Sequence, residues 1–84
     1  MTAEELYQTL HRKPFMPFRV HLKDGRTYDI RFPELNMVTQ IAFIIGIPEP
    51  GPDPFADHFD RVPIQIVDRV ERLPAEITAA PQSS

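Results

Sequence analysis

The chain has 84 residues, enough for one domain around one small core, with 42% apolar and 25% charged residues and a formal net charge of −3. No apolar run nears the roughly 20 residues of a membrane-crossing helix. The acidic start MTAEEL carries no export signal, and the lack of cysteine removes disulfides, thiol nucleophiles and thiolate metal sites.

Charge is uneven along the chain. Residues 1–32 carry six Lys/Arg against four Asp/Glu, and residues 33–84 carry three against eight. With a pI near 5.5, only a local basic patch for nucleic acid is compatible with the composition.

Thr2-Ala3-Glu4-Glu5 matches a capping box: the Thr2 hydroxyl accepts from the Glu5 amide while the Glu5 carboxylate reaches back. Ala3, Leu6, Tyr7 and Leu10 then form one apolar stripe at helical spacing. Glu4 and Glu5 at the start, with His11, Arg12 and Lys13 near the end, complement the helix dipole, and Pro14 stops the helix. A helix this short is weak alone, so its stripe is expected to lie over one end of a sheet. Lys13–Phe18, KPFMPF, reads as a stiff elbow with buried aromatic rings. The spacing of Pro14 and Pro17 also matches a P-x-x-P ligand, but such ligands occupy exposed polyproline segments.

Phe18–Phe32, FRVHLKDGRTYDIRF, predicts a hairpin down to its loop length. Phe18, Val20 and Leu22 alternate before the turn, and Tyr28, Ile30 and Phe32 alternate after it. A two-residue Asp24-Gly25 loop would place the two apolar sets on opposite faces. A three-residue loop, Lys23-Asp24-Gly25, closed by a left-handed Gly25, instead sets Val20 opposite Tyr28 and Phe18 opposite Ile30. All six apolar side chains then share a face, with Arg19 opposite Asp29 on the other.

Asn36–Thr39 predicts a third strand and Phe43–Ile47 a fourth, joined by Gln40–Ala42, which has poor turn chemistry. Phe43, Ile45 and Ile47 face one way and Ile44 the other, so this strand needs cover on both sides, from the helix or from a second subunit. Pro48–Pro54 is expected as an extended loop, with Phe55 and Phe59 anchoring its return and Asp57, His58 and Asp60 in solvent. Arg61–Ile66 alternates again as a strand, with Pro63 favouring an edge. Residues 66–73 suit either a helical face or, preferably, a short 3₁₀ turn and a last strand around Val70–Leu73. Pro74 ends the domain, residues 1–74, and 75–84 are expected as a flexible C-terminal tail.

The expected fold class is mainly β (α+β): an N-terminal helix and about five short antiparallel strands in a small Sm/SH3-like barrel. Val20–Tyr28, then Phe32 and Asn36-Met37-Val38, resembles the first motif and following segment of the Sm-like family. That resemblance implies a base contact at Asn36 and assembly of subunits through edge strands. The chain departs from the family's pattern at Ile30, in the shorter spacing from Phe32 to Asn36, and in having no Arg-Gly within 66–73. The whole ordering, KPFMPFRVHLKDGRTYDIRFPE followed by a strand ending Gly-Ile-Pro and then RVPIQIVDRVERL, is similar to a group of short uncharacterised bacterial proteins, which implies no activity.

Chemistry is sparse. Ser83 and Ser84 fall in the expected tail, and no threonine or tyrosine has a neighbouring His-Asp motif, so no catalytic residue, cofactor or small-molecule substrate is assigned. Asp57, His58 and Asp60 are the one local set of metal-capable side chains, and their spacing does not ensure convergence, so no metal is assigned. Arg19, His21, Lys23 and Arg31 on the outer hairpin face, with Asn36, are the candidate nucleic-acid contacts, although Asp29 neutralises part of the patch. Phe43, Ile44 and Ile45 are the candidate interface. The expected function is a cytoplasmic, non-catalytic interaction module whose partner is a protein or a second copy, with no membrane role. The alternative is RNA binding through the outer face of the 18–32 hairpin.

Thr2→Ala is expected to cost about 1 kcal/mol of stability. Urea unfolding measures it, and an unchanged midpoint would show that the box contributes nothing.

Overall fold

Apolar alternation and the placement of turns divide the chain into one helix and six strands. The structure is a computed structural model describing residues 1–52 and 55–74. Helix α1 (Ala3–Leu10) precedes β1 (Phe18–Leu22), β2 (Thr27–Ile30), β3 (Asn36–Val38), β4 (Ala42–Pro48), β5 (Ala56–Pro63) and β6 (Val67–Arg72). Single 3₁₀ turns at Pro33–Leu35 and Ile64–Ile66 link β2 to β3 and β5 to β6. The strands pair as two antiparallel three-stranded sheets, in the orders β2-β1-β6 and β3-β4-β5. Among the described residues no ladder closes them into a barrel.

The first hairpin has the predicted register: Phe18 faces Ile30, Arg19 faces Asp29 and Val20 faces Tyr28. The Gly25 amide donates to the Leu22 carbonyl at 3.0 Å, and the Leu22 amide to the Arg26 carbonyl at 2.9 Å. Gly25 has φ +95°, a conformation costly for any residue with a Cβ. Asp24 Oδ1 accepts from the Arg26 amide at 3.0 Å and steadies the same turn. The odd loop thus sends Phe18, Val20, Leu22 and Ile30 into the core, each at most 3% exposed.

That core lies between the sheets and under α1. Leu6 and Leu10 of the helix join Phe43, Ile45, Val62 and Val67 in it, and no described polar side chain is buried. The capping box forms in both directions, with Glu5 N donating to Thr2 Oγ1 at 3.1 Å and Thr2 N to Glu5 Oε1 at 2.9 Å. Those hydrogen bonds hold the Glu5 carboxyl below its ordinary value. The Pro17 carbonyl accepts from the Leu73 amide at 3.0 Å, and the Phe15 and Phe18 rings sit 6.0 Å apart, so KPFMPF serves as an elbow.

Several expectations need correction. Six strands form where about five were expected, and the break at Pro33–Leu35 sends β2 to one sheet and β3 to the other. The helix ends at Leu10, with Tyr7 half exposed and its ring 4.2 Å from that of His11. Phe32 lies past the end of β2 and is 36% exposed, off the shared apolar face. The Phe55 and Phe59 rings stay mostly in solvent, β5 beginning at Ala56, and the loop's return is tied instead by the Phe55 carbonyl, which accepts from the Glu49 amide at 2.9 Å. The strand expected over Arg61–Ile66 ends at Pro63, and the last strand runs over Val67–Arg72. Gln40-Ile41 turns tightly because Thr39 Oγ1 accepts from the Ile41 and Ala42 amides, at 3.3 and 2.9 Å. The expected tail lies outside the described residues, as do residues 53 and 54 of the proline-rich loop. No described helix is long and apolar enough to cross a membrane.

Gly46 marks the tightest approach between elements. A Cβ there would meet the Leu35 carbonyl oxygen at 2.4 Å and Leu35 Cβ at 3.0 Å. The 3₁₀ turn therefore rests directly on β4 backbone. Gly46→Ala is expected to lower stability by about 2 kcal/mol through this overlap, read as a lower urea midpoint with unchanged slope.

Candidate interaction surface

Two surfaces gather the candidate side chains. The first is the outer face of sheet β2-β1-β6, where cross-strand pairing sets Asp29, Arg19 and Glu71 in one row and Thr27, His21 and Arg69 in the next. Arg19 binds Asp29 with both arms, Nε to Oδ1 at 2.7 Å and Nη2 to Oδ2 at 3.2 Å. Arg31 Nη2 lies 3.8 Å from Asp29 Oδ2, and His21 Nε2 lies 2.9 Å from Glu71 Oε1. The Arg19 hydrogen bond, and then its charge, hold the Asp29 carboxyl below its ordinary value against the opposing effect of burial. Glu71 is lowered chiefly by its hydrogen bond to His21. Of the basic groups expected to meet phosphate, Arg19 is thus engaged by the Asp29 carboxylate, His21 by that of Glu71, and Arg31 stands beside Asp29. Lys23 is exposed at the turn.

Asn36 is committed to the fold. Its Nδ2 donates to the Phe32 carbonyl at 2.7 Å, and its Oδ1 accepts from the Gly46 amide at 3.3 Å. Both ends of the amide hold the corner where the 3₁₀ turn meets β4, so reading a base edge would require breaking those bonds.

The second surface is the outer face of sheet β3-β4-β5. Alternation along β4 sends Phe43 and Ile45 inward, 0% and 2% exposed, so of the three expected interface residues Ile44 alone faces out. Met37 and Arg61 flank it across the strands. In the neighbouring row Phe59 faces Gly46, and its ring lies over the bare glycine. Met37 is 58% exposed and Phe59 60%. Sequence reasoning missed Met37, Phe59 and Arg61 as members of this surface. The available signal was the alternation Asp57, Phe59, Arg61 opposite the inward Val62.

A short polar chain runs along β5 from Asp57 to Asp60. His58 Nδ1 lies 3.1 Å from Asp57 Oδ2, His58 Nε2 3.7 Å from Asp60 Oδ1, and Asp60 Oδ2 accepts from the Tyr28 hydroxyl at 2.8 Å. Tyr28 belongs to β2, so that last bond ties one sheet to the other. Burial, and then Asp60, push the Tyr28 hydroxyl above its ordinary value. Among the described residues no three His, Asp or Glu side chains are placed to hold a metal ion. Among the described residues, a cleft of about 480 Å³ beside Lys23 and Ile41, one of about 240 Å³ beside Arg12 and Arg72 and one of about 230 Å³ beside Arg31 and Asn36 have no histidine in their lining. No protein-family model, curated protein or solved structure matches this chain.

The depressed Asp29 and Glu71 values fix a pH dependence. A carboxyl held lower in the folded chain than in the unfolded one adds stability above about pH 4, and that stability is lost as pH falls through the folded value. Arg19→Gln is expected to move Asp29 titration upward and to flatten the loss of stability between about pH 5 and 2. Carboxyl-resolved NMR titration checks the first, urea unfolding across that range the second.

Proposed function

We propose that this chain is a non-catalytic interaction module that associates with a second copy of itself through sheet β3-β4-β5. The supporting observation is the apolar outer face of that sheet. Met37 and Phe59 stand mostly in solvent beside Ile44, on a sheet whose inner side already supplies Phe43, Ile45 and Val62 to the core. A contiguous exposed apolar patch rimmed by charge favours a contact surface. Among the described residues β5 pairs on one side alone, which adds an edge for pairing.

In this reading the two sheets work as one small barrel-like unit of Sm- or SH3-like type. Three features support that: residues 27–38 pass from one sheet to the other, a 3₁₀ turn joins β5 to β6, and the Tyr28–Asp60 bond braces the sheets. We further propose that the module works in the cytoplasm, in keeping with its cysteine-free sequence.

Multi-angle light scattering over a concentration series tests the association. A mass rising from one chain to a defined oligomer is expected. Ile44→Lys is expected to return it to one chain while the circular dichroism spectrum stays unchanged. One-chain mass at every concentration overturns the proposal. Retention on RNA at low salt that weakens with log salt and with Lys23→Ala would replace it with the nucleic-acid reading.

A further inference from the structure

β5 is an edge whose sequence is its own complement. The strand reads Ala56-Asp57-His58-Phe59-Asp60-Arg61-Val62-Pro63, pairs with β4 on one side, and takes no further backbone hydrogen bond along its other side among the described residues. A second β5 laid against it antiparallel, with Phe59 facing Phe59, sets Asp57 against the partner's Arg61. It sets His58 against the partner's Asp60 and Ala56 against the partner's Val62. Every charged or ionisable side chain then meets its opposite, twice over by symmetry, around a central aromatic pair.

Other registers fail. A shift of one position sets Asp57 against Asp60 in one direction, and His58 against Arg61 in the other. A shift of two opposes either the two His58 or the two Asp60 side chains. Like charges directly opposite destabilise a strand pair, and the two shifts that set His58 against Arg61 or against itself form no opposite-charge pair, so the sequence selects the register centred on Phe59.

Faces agree as well as charges. Asp57, Phe59 and Arg61 share the outer face with Ile44, and His58 and Asp60 share the inner margin. The paired Phe59 rings would bring the apolar faces of the two copies side by side, covering side chains now in solvent. Gly46, without a side chain, leaves each ring room to lie flat. Edges kept solitary carry charge chosen to repel, lysine above all. Here both signs occur, in complementary order, and Pro63 with no amide donor marks where the ladder stops.

Resting on the self-association proposed above, we infer that the partner is a second copy joined β5 to β5 about a twofold axis at Phe59, making one continuous six-stranded sheet. The other open strands of a second copy, and a foreign protein, are the occupants this register excludes.

The chain has no cysteine, so Phe59→Cys introduces a single thiol. Facing residues in an antiparallel pair have Cα atoms about 4.5–5.5 Å apart, inside disulfide range. Mild oxidation is expected to give a disulfide-linked dimer. Asp57→Arg and Arg61→Asp, each alone, are expected to weaken dimerisation about tenfold or more in sedimentation equilibrium, because two attractive pairs become repulsive. The double variant is expected to recover to within about threefold of the original chain; loss through misfolding would not be rescued in this way. A stable oligomer that forms no disulfide at position 59, ignores both charge reversals or exceeds two chains overturns this register and leaves self-association standing. One-chain mass at all concentrations overturns both.

Discussion

The parity of one loop governs the first sheet. With three residues, Lys23, Asp24 and Gly25, between Leu22 and Arg26, just beyond the His21–Thr27 pair, the apolar set of β1 and that of β2 fall on one side. An even loop would turn Tyr28 and Ile30 outward and bring Asp29 into the core, where an unpaired carboxylate is strongly disfavoured. Gly25 makes the odd loop affordable because φ +95° carries no Cβ penalty there. Since β1 is the central strand, its orientation also dictates which face of β6 is buried, and Val67 and Val70 follow it inward. The charged row of Asp29, Arg19 and Glu71 is the outer image of the same choice.

The second sheet depends on close backbone approach instead. The turn at Pro33–Leu35 leans on β4 where Gly46 presents no side chain, and Asn36 ties that corner with both ends of its amide. The residue that resembles a base contact by position is therefore explained by the fold. Positioning chemistry and recognition chemistry use the same amide group, and here the backbone claims it. On the outer face the same glycine leaves a depression that the Phe59 ring covers. One missing side chain thus serves a packing contact on one flank and shapes an exposed surface on the other.

Legibility followed the strength of local patterning. The capping box, the first hairpin and its register were readable, because each rests on residues within a dozen positions of one another. β5 was not, since its first half, Ala56–Asp60, offers no apolar alternation. An edge strand that buries only Val62 needs none. The Thr39 turn was overlooked because its signal is a single hydroxyl rather than a glycine or proline. Pairing of β1 with β6 was beyond reach: no local rule links residues fifty positions apart, such as His21 and Glu71. The candidate surface was half legible for the same reason. Ile44 stood out by its place in an apolar run, whereas Met37 and Phe59 become neighbours of it only after three strands assemble.

The β1–β6 ladder has a consequence for how the chain comes into being. During synthesis β1 emerges well before β6, so the central strand waits with one side open while residues 23–66 are added. Helix α1 and the first hairpin can form in that interval from contacts already available, but the buried seam under Val20 is sealed only when Val67 and Val70 arrive. Such non-local closure slows folding and prolongs the life of an open, sticky ribbon. A nascent chain halted before Val67 would be the species most in need of a chaperone.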